Sequence, residues 1–176
     1  MNLNNEIKPK IFLVGMMGSG KSYWTKFLSK KLKTGGYDLD YLIESNEEKT
    51  IVEIFAEDGE EYFRKQESKI LKWFKDKKSF VLGTGGGTPC YHDNMDWMNK
   101  NGVTIFIDSP ISQLVERLIP EKSHRPLICN LSDTALFEFL TQKRLDRLDT
   151  YKQAKIKLTG DEISEQKFLK IIKEYA

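Results

Sequence analysis

The chain carries 28 basic and 26 acidic side chains in 176 residues, a net charge of +2. That near balance gives no electrostatic reason to expect nucleic acid or an anionic membrane as a partner, and the length allows one domain, residues 1–176, with a sizeable core. No apolar run approaches the roughly 18 residues of a membrane span, and Cys90 and Cys129 stand in no disulfide or metal-ligand spacing.

Residues 1–10 are polar, contain Pro9 and lack the apolar centre of a secretory signal, so a reducing cytoplasm is the expected location. Ile11-Phe12-Leu13-Val14 reads as a buried strand, and residues 23–32 read as a helix. Gly35-Gly36 is expected to break the chain, and residues 37–40 to form a short strand end. Thr50 and Glu53 make a capping box for a short helix that Gly59 stops, and a longer helix is expected from about 58 to 77. Residues 79–82 read as a strand running into Gly85-Gly86-Gly87, and 103–107 as another that ends at Asp108. Ser109-Pro110 has the form of a serine N-cap with proline at the first helical position, opening a helix towards Ile119. Residues 120–130 read as a polar loop, 132–149 as a helix, 155–158 as a strand and 163–175 as a terminal helix. Alternating strands and helices point to an α/β fold with a parallel sheet.

The motif between the first strand and the first helix carries the chemistry. Gly15-Met16-Met17-Gly18-Ser19-Gly20-Lys21-Ser22 fits G-x-x-x-x-G-K-[ST] without a mismatch. Its backbone N–H groups can close around phosphate oxygens at a helix N-terminus. Lys21 then reaches the β- and γ-phosphates and the Ser22 hydroxyl takes a magnesium ion, so a nucleoside triphosphate is the expected ligand.

Asp38-x-Asp40 lies after the second strand, where an extended backbone turns both carboxylates to one side. One of the two can complete the magnesium shell, and the other can accept a hydroxyl proton from a substrate attacking the γ-phosphate. The glycine triplet is entropically costly unless a ligand or backbone comes close. Among the arginines, Arg64, Arg125 and one of Arg144 and Arg147 are singled out, and a pair reaching one pocket implies a carboxylate on the acceptor. Neither His92 nor His124 has a partner spacing that suggests a metal or a nucleophilic triad.

Taken together, these residues resemble the shikimate kinase family over almost the whole chain. The resemblance is carried by Gly15 to Ser22, Asp38-Leu39-Asp40, Ile54-Phe55-Ala56-Glu57-Asp58-Gly59-Glu60, Phe63-Arg64-Lys65-Gln66-Glu67, the glycine triplet, Arg125-Pro126-Leu127 and Arg147-x-x-x-Tyr151. It implies a P-loop fold like that of nucleoside monophosphate kinases: a five-stranded parallel sheet flanked by helices. A phosphate loop at 15–22, an acceptor-binding region at about 38–75 and a mobile lid at about 119–131 go with it. The implied reaction moves the γ-phosphoryl group of ATP to the 3-hydroxyl of shikimate, a step towards chorismate and the aromatic amino acids. Its implied needs are Mg2+, ATP and shikimate, with no nucleic acid or membrane, in a monomer.

By the same resemblance, Lys21, Asp40 and Arg125 are the catalytic group. Gly18, Ser19, Gly20, Lys21, Ser22, Tyr23 and Arg125 bind ATP, and Arg117 is matched to an arginine near the adenine. Asp40, Arg64, Gly86 and Arg147 bind the acceptor, and Ser22 and Asp38 hold the metal. Two departures stand out: Tyr23 replaces the usual threonine, leaving only its backbone N–H for the phosphate, and the usual proline two residues after Arg147 is Asp149. The alternative reading is a related small-molecule kinase acting on gluconate or a nucleotide.

Overall fold

A computed structural model describes residues 9–124 and 127–175. Five parallel strands form one sheet in the order β2-β3-β1-β4-β5. The strands are β1 (Lys10–Val14), β2 (Gly35–Asp38), β3 (Phe80–Gly83), β4 (Val103–Asp108) and β5 (Ile156–Thr159). Both faces of the sheet are covered, which is why β1, β3 and β4 are apolar without alternation. Phe12, Val14, Phe80, Leu82 and Phe106 belong to one core layer. Ile11, Leu13, Val81, Ile105 and Ile107 belong to the other.

The helix α1 (Lys21–Leu32) follows the phosphate loop, and α8 (Glu165–Tyr175) shares its layer through Trp24 and Phe168, whose rings lie 4.3 Å apart. The opposite layer contains side chains from α2 (Leu39–Glu47), α3 (Ile51–Glu57), α4 (Gly59–Lys72), α5 (Asn94–Asn101), α6 (Ile111–Leu118) and α7 (Asp133–Tyr151). Thr50 and Glu53 close the capping box of α3, and Ser132 caps α7 by accepting from the Ala135 N–H at 3.1 Å.

Several expectations are corrected. Gly35 and Gly36 do not break the chain but form the start of β2, and the turn falls earlier at Lys33, the left-handed cap of α1. Glycine suits position 36 because α1 passes close: a Cβ there would lie 2.5 Å from Ser29 Oγ. The strand ends at Asp38, and α2 begins at Leu39, so Asp40 is helical rather than extended. The long helix stops at Lys72 rather than near 77. Pro110, not Ser109, is the N-cap of α6, and it caps without a side-chain hydrogen bond. A 3-10 helix, Ile119–His124, occupies the first half of the expected loop.

Register brings the functional segments to one level. Leu13 pairs with Gly83, and Gly83 pairs with Asp38. The phosphate loop, Asp38 and the glycine triplet therefore leave the sheet side by side, beyond the carboxyl ends of β1, β2 and β3.

Candidate active site

A cleft of about 430 Å³ opens above these strand ends, with Lys21, Ser22, Asp38, Asp40, Gly85 and Arg117 among its lining residues. Its floor is the phosphate loop. Gly20, the N-cap of α1, has φ of 90°, a left-handed conformation that a β-carbon would strain. The ammonium of Lys21 donates to the carbonyls of Gly15 and Met16 at 2.9 and 2.8 Å, which holds it across the loop. Arg117 reaches the loop from α6 and donates to the Gly18 carbonyl at 3.2 Å.

Asp38 works in two directions. Its Oδ1 caps α2 by accepting from the N–H groups of Asp40 and Tyr41 at 3.1 and 3.4 Å, while Oδ2 accepts from the Ser22 hydroxyl at 3.2 Å. Two hard oxygens so close, beside a phosphate loop, fit a magnesium ion, which takes few protein ligands and keeps waters and phosphate oxygens for the rest.

Asp40 stands in the first turn of α2 and faces the glycine triplet: a Cβ on Gly85 would lie 2.9 Å from its Oδ1. Burial, then the negative charges of Asp38 and Glu67, push its carboxyl up to about 7, and Lys21 opposes them only in part.

Each of the other two glycines of the triplet lies against a guanidinium. A Cβ on Gly87 would lie 2.7 Å from Nη2 of Arg64, and one on Gly86 would lie 3.0 Å from Nη1 of Arg147. Arg64 donates to Glu67 through Nη1 at 2.9 Å and to Glu60 through Nη2 at 3.1 Å. Glu67 is fully buried and also accepts from Thr88 at 2.5 Å. Burial raises the Glu67 carboxyl, while Arg64 and Thr88 pull it down. Nη1 of Arg147 is buried without a hydrogen-bond partner and is aimed at the turn. Arg144, by contrast, is committed elsewhere: its Nε and Nη2 hold both oxygens of Asp108 at 2.9 and 2.8 Å. Of the two arginines left open by spacing, Arg147 is the one beside the triplet.

Lys21, Ser22, Asp38, Asp40, Gly86, Arg64 and Arg147 thus converge on one region, with Gly18 and Gly20 in its wall and Ser19 buried beneath it. The Tyr23 side chain does not join them. Its ring is exposed on α1 and packs edge-on against Trp24. Arg125 lies outside the described residues.

Sequence reasoning missed Glu67, Thr88 and Tyr151 as parts of the site. Tyr151 is buried on the helix that bears Arg147, one turn later, and donates to the Gly86 carbonyl at 2.5 Å. Helical spacing was the available signal: Glu67 follows Arg64 by three positions and Tyr151 follows Arg147 by four, so each pair shares a face.

Known proteins resemble this chain in both sequence and fold. A family model described as shikimate kinase matches residues 17–176. The shikimate kinase of Flavobacterium psychrophilum is 43% identical over 157 residues, covering 88% of this chain and 91% of the relative. The crystal structure of shikimate kinase from Bacteroides thetaiotaomicron is similar with a TM-score of 0.84 at 34% identity, covering 94% of this chain and 95% of that one. Shikimate kinase from Acinetobacter baumannii in complex with shikimate has a TM-score of 0.81 at 27% identity, covering 96% of this chain and 91% of that one. The chain belongs to the shikimate kinase family.

Proposed function

We propose that this chain transfers the γ-phosphoryl group of ATP to the 3-hydroxyl of shikimate, releasing shikimate 3-phosphate and ADP. The observation that carries this reading is the placement of the Asp40 carboxylate between the phosphate loop and a glycine turn backed by two guanidiniums. Triphosphate and acid have separate, adjoining seats, as an in-line transfer requires.

In the proposed mechanism, the loop N–H groups and Lys21 bind the β- and γ-phosphates. Arg64 and Arg147 take the acceptor's carboxylate and fix its orientation, with Gly86 leaving room for close approach. Ser22 and Asp38 would hold magnesium, which neutralises phosphate charge when bound. Asp40 accepts a hydrogen bond from the attacking hydroxyl. As the new O–P bond forms, the bond from γ-phosphorus to the bridging oxygen breaks and ADP leaves with the electron pair. The hydroxyl proton passes to Asp40, whose raised affinity for protons suits the task. Arg125 keeps its sequence-based assignment to the transferred group, with 119–131 as lid. The reading is of a monomer that acts in the cytoplasm. Among the described residues no helix is long and apolar enough to cross a membrane.

The test is a coupled assay of ADP release. With Mg-ATP the purified chain should turn over on addition of shikimate, and phosphorus NMR should identify a new phosphate monoester. Turnover with gluconate or a nucleoside monophosphate in place of shikimate would instead favour the related small-molecule kinases.

A further inference from the structure

Arg64 already holds a carboxylate on the edge that a substrate acid needs. Its Nε and Nη2 both donate to one oxygen of Glu60, Oε1, at 3.2 and 3.1 Å. A guanidinium grips a carboxylate through paired N–H groups along one edge, so this edge is filled by the side chain one turn earlier in α4. The Tyr91 hydroxyl donates to the same Glu60 oxygen at 3.3 Å, and the Tyr91 ring lies 4.3 Å from Cζ of Arg64. Glu60 and Tyr91 together cover the guanidinium, whose side chain is only 11% exposed.

The two carboxylates on Arg64 differ in their freedom to leave. Glu67 is fully buried and also held by Thr88, so moving it would strand a charge inside the protein. The Glu60 side chain is 53% exposed, and a change of rotamer returns it to water. We propose that Glu60 is an internal stand-in for the acceptor's carboxylate: it occupies Arg64 in the free enzyme, and the incoming acid displaces it. Glu60 is then a positioning and specificity residue. It keeps the guanidinium oriented between turnovers, and a neutral ligand, unable to replace it, gains nothing from Arg64. This inference rests on the assignment of Arg64 to the acceptor carboxylate.

The experiment compares Glu60→Gln with Glu61→Gln. Glu61 is one residue along, exposed, and paired with Lys65 at 2.7 Å, so its substitution removes the same charge without touching Arg64. Glu60→Gln should lower KM for shikimate by about two- to fivefold, the scale of a partly exposed ion pair, with kcat and KM for ATP unchanged. The methyl ester of shikimate, tested as substrate or competitive inhibitor, should show no such gain, and Glu61→Gln should leave KM for shikimate as it was. An unchanged or raised KM in Glu60→Gln overturns the proposal, and so does an equal fall with the ester or in Glu61→Gln. Failure of the unaltered chain to use shikimate at all would refute the parent assignment instead.

Discussion

Asp40 sits where the charges of three acids and one ammonium act on a single proton. Burial and the neighbouring Asp38, Glu67 and Glu44 oppose its ionisation, and only Lys21 favours it, so the carboxyl titrates near pH 7 instead of 3.8. Between those values the folded chain binds a proton that the unfolded chain releases. The contribution of Asp40 to stability therefore falls as pH rises through this window, by up to about 4 kcal/mol if the whole shift is expressed. Asp40→Asn, which cannot ionise, should match the unaltered protein in denaturant midpoint near pH 4 and exceed it near pH 8. On the proposed mechanism catalysis has the opposite slope, because Asp40 as base must be unprotonated. With saturating Mg-ATP, kcat/KM for the acceptor should rise with pH, reach half its maximum near 7 and level off about a unit higher, and Asp40→Asn should lower kcat about 100-fold or more. A flat profile from pH 5.5 to 8 would remove Asp40 from the base role.

At the scale of elements, the turn after β3 and the helices that face it form one unit. Gly87 has φ of −89°, a conformation open to any residue, so alanine there strains no backbone. What it meets is the Arg64 guanidinium, with Nη1 and Nη2 at 2.8 and 2.7 Å from the new Cβ. Gly87→Ala should fold, keep its KM for ATP and raise KM for shikimate by about ten- to a hundredfold, the worth of hydrogen bonds to a charged group. Steady-state kinetics with each substrate varied in turn would check the split; an equal loss for both would point to a collapsed turn. The triplet was legible in the sequence as a costly glycine run, but its partners were not, because α4 and α7 meet it from far along the chain. Helix α2 was less hidden. Leu39, Leu42 and Ile43 have helical spacing and Asp38 is a good N-cap, yet the D-x-D pattern drew the reading towards an extended pair. The two aspartates still meet the same cleft, by way of a capped helix rather than an alternating strand. Ser109 failed as a cap for a tertiary reason: it is buried directly after β4, with its hydroxyl lacking a partner.

For the whole molecule, fold and binding are coupled through the level at which the parallel strands end. Arg144 and Arg147 lie one turn apart on α7 and, on the proposed reading, serve these two demands separately. Arg144 ties α7 to the end of β4 through both oxygens of Asp108, a carboxylate only 8% exposed that also lies 3.5 Å from Lys157. Arg147 makes no such tie through its Nη1, which is buried without a hydrogen-bond partner at the glycine turn. Arg144→Ala should therefore cost about 2 kcal/mol and lower the melting temperature by roughly 4–8 °C, as expected for a chain of this size. Its remaining fold should still bind shikimate. A ligand present at 100 times its Kd adds about 2.7 kcal/mol to stability, so shikimate should raise the melting temperature of both the unaltered chain and Arg144→Ala by roughly 5–10 °C. Arg147→Ala should respond to Mg-ATP yet lose most of its response to shikimate. Differential scanning fluorimetry with each ligand separately measures all four shifts, and a shikimate response that vanishes in Arg144→Ala but survives in Arg147→Ala would exchange the roles assigned to the two arginines.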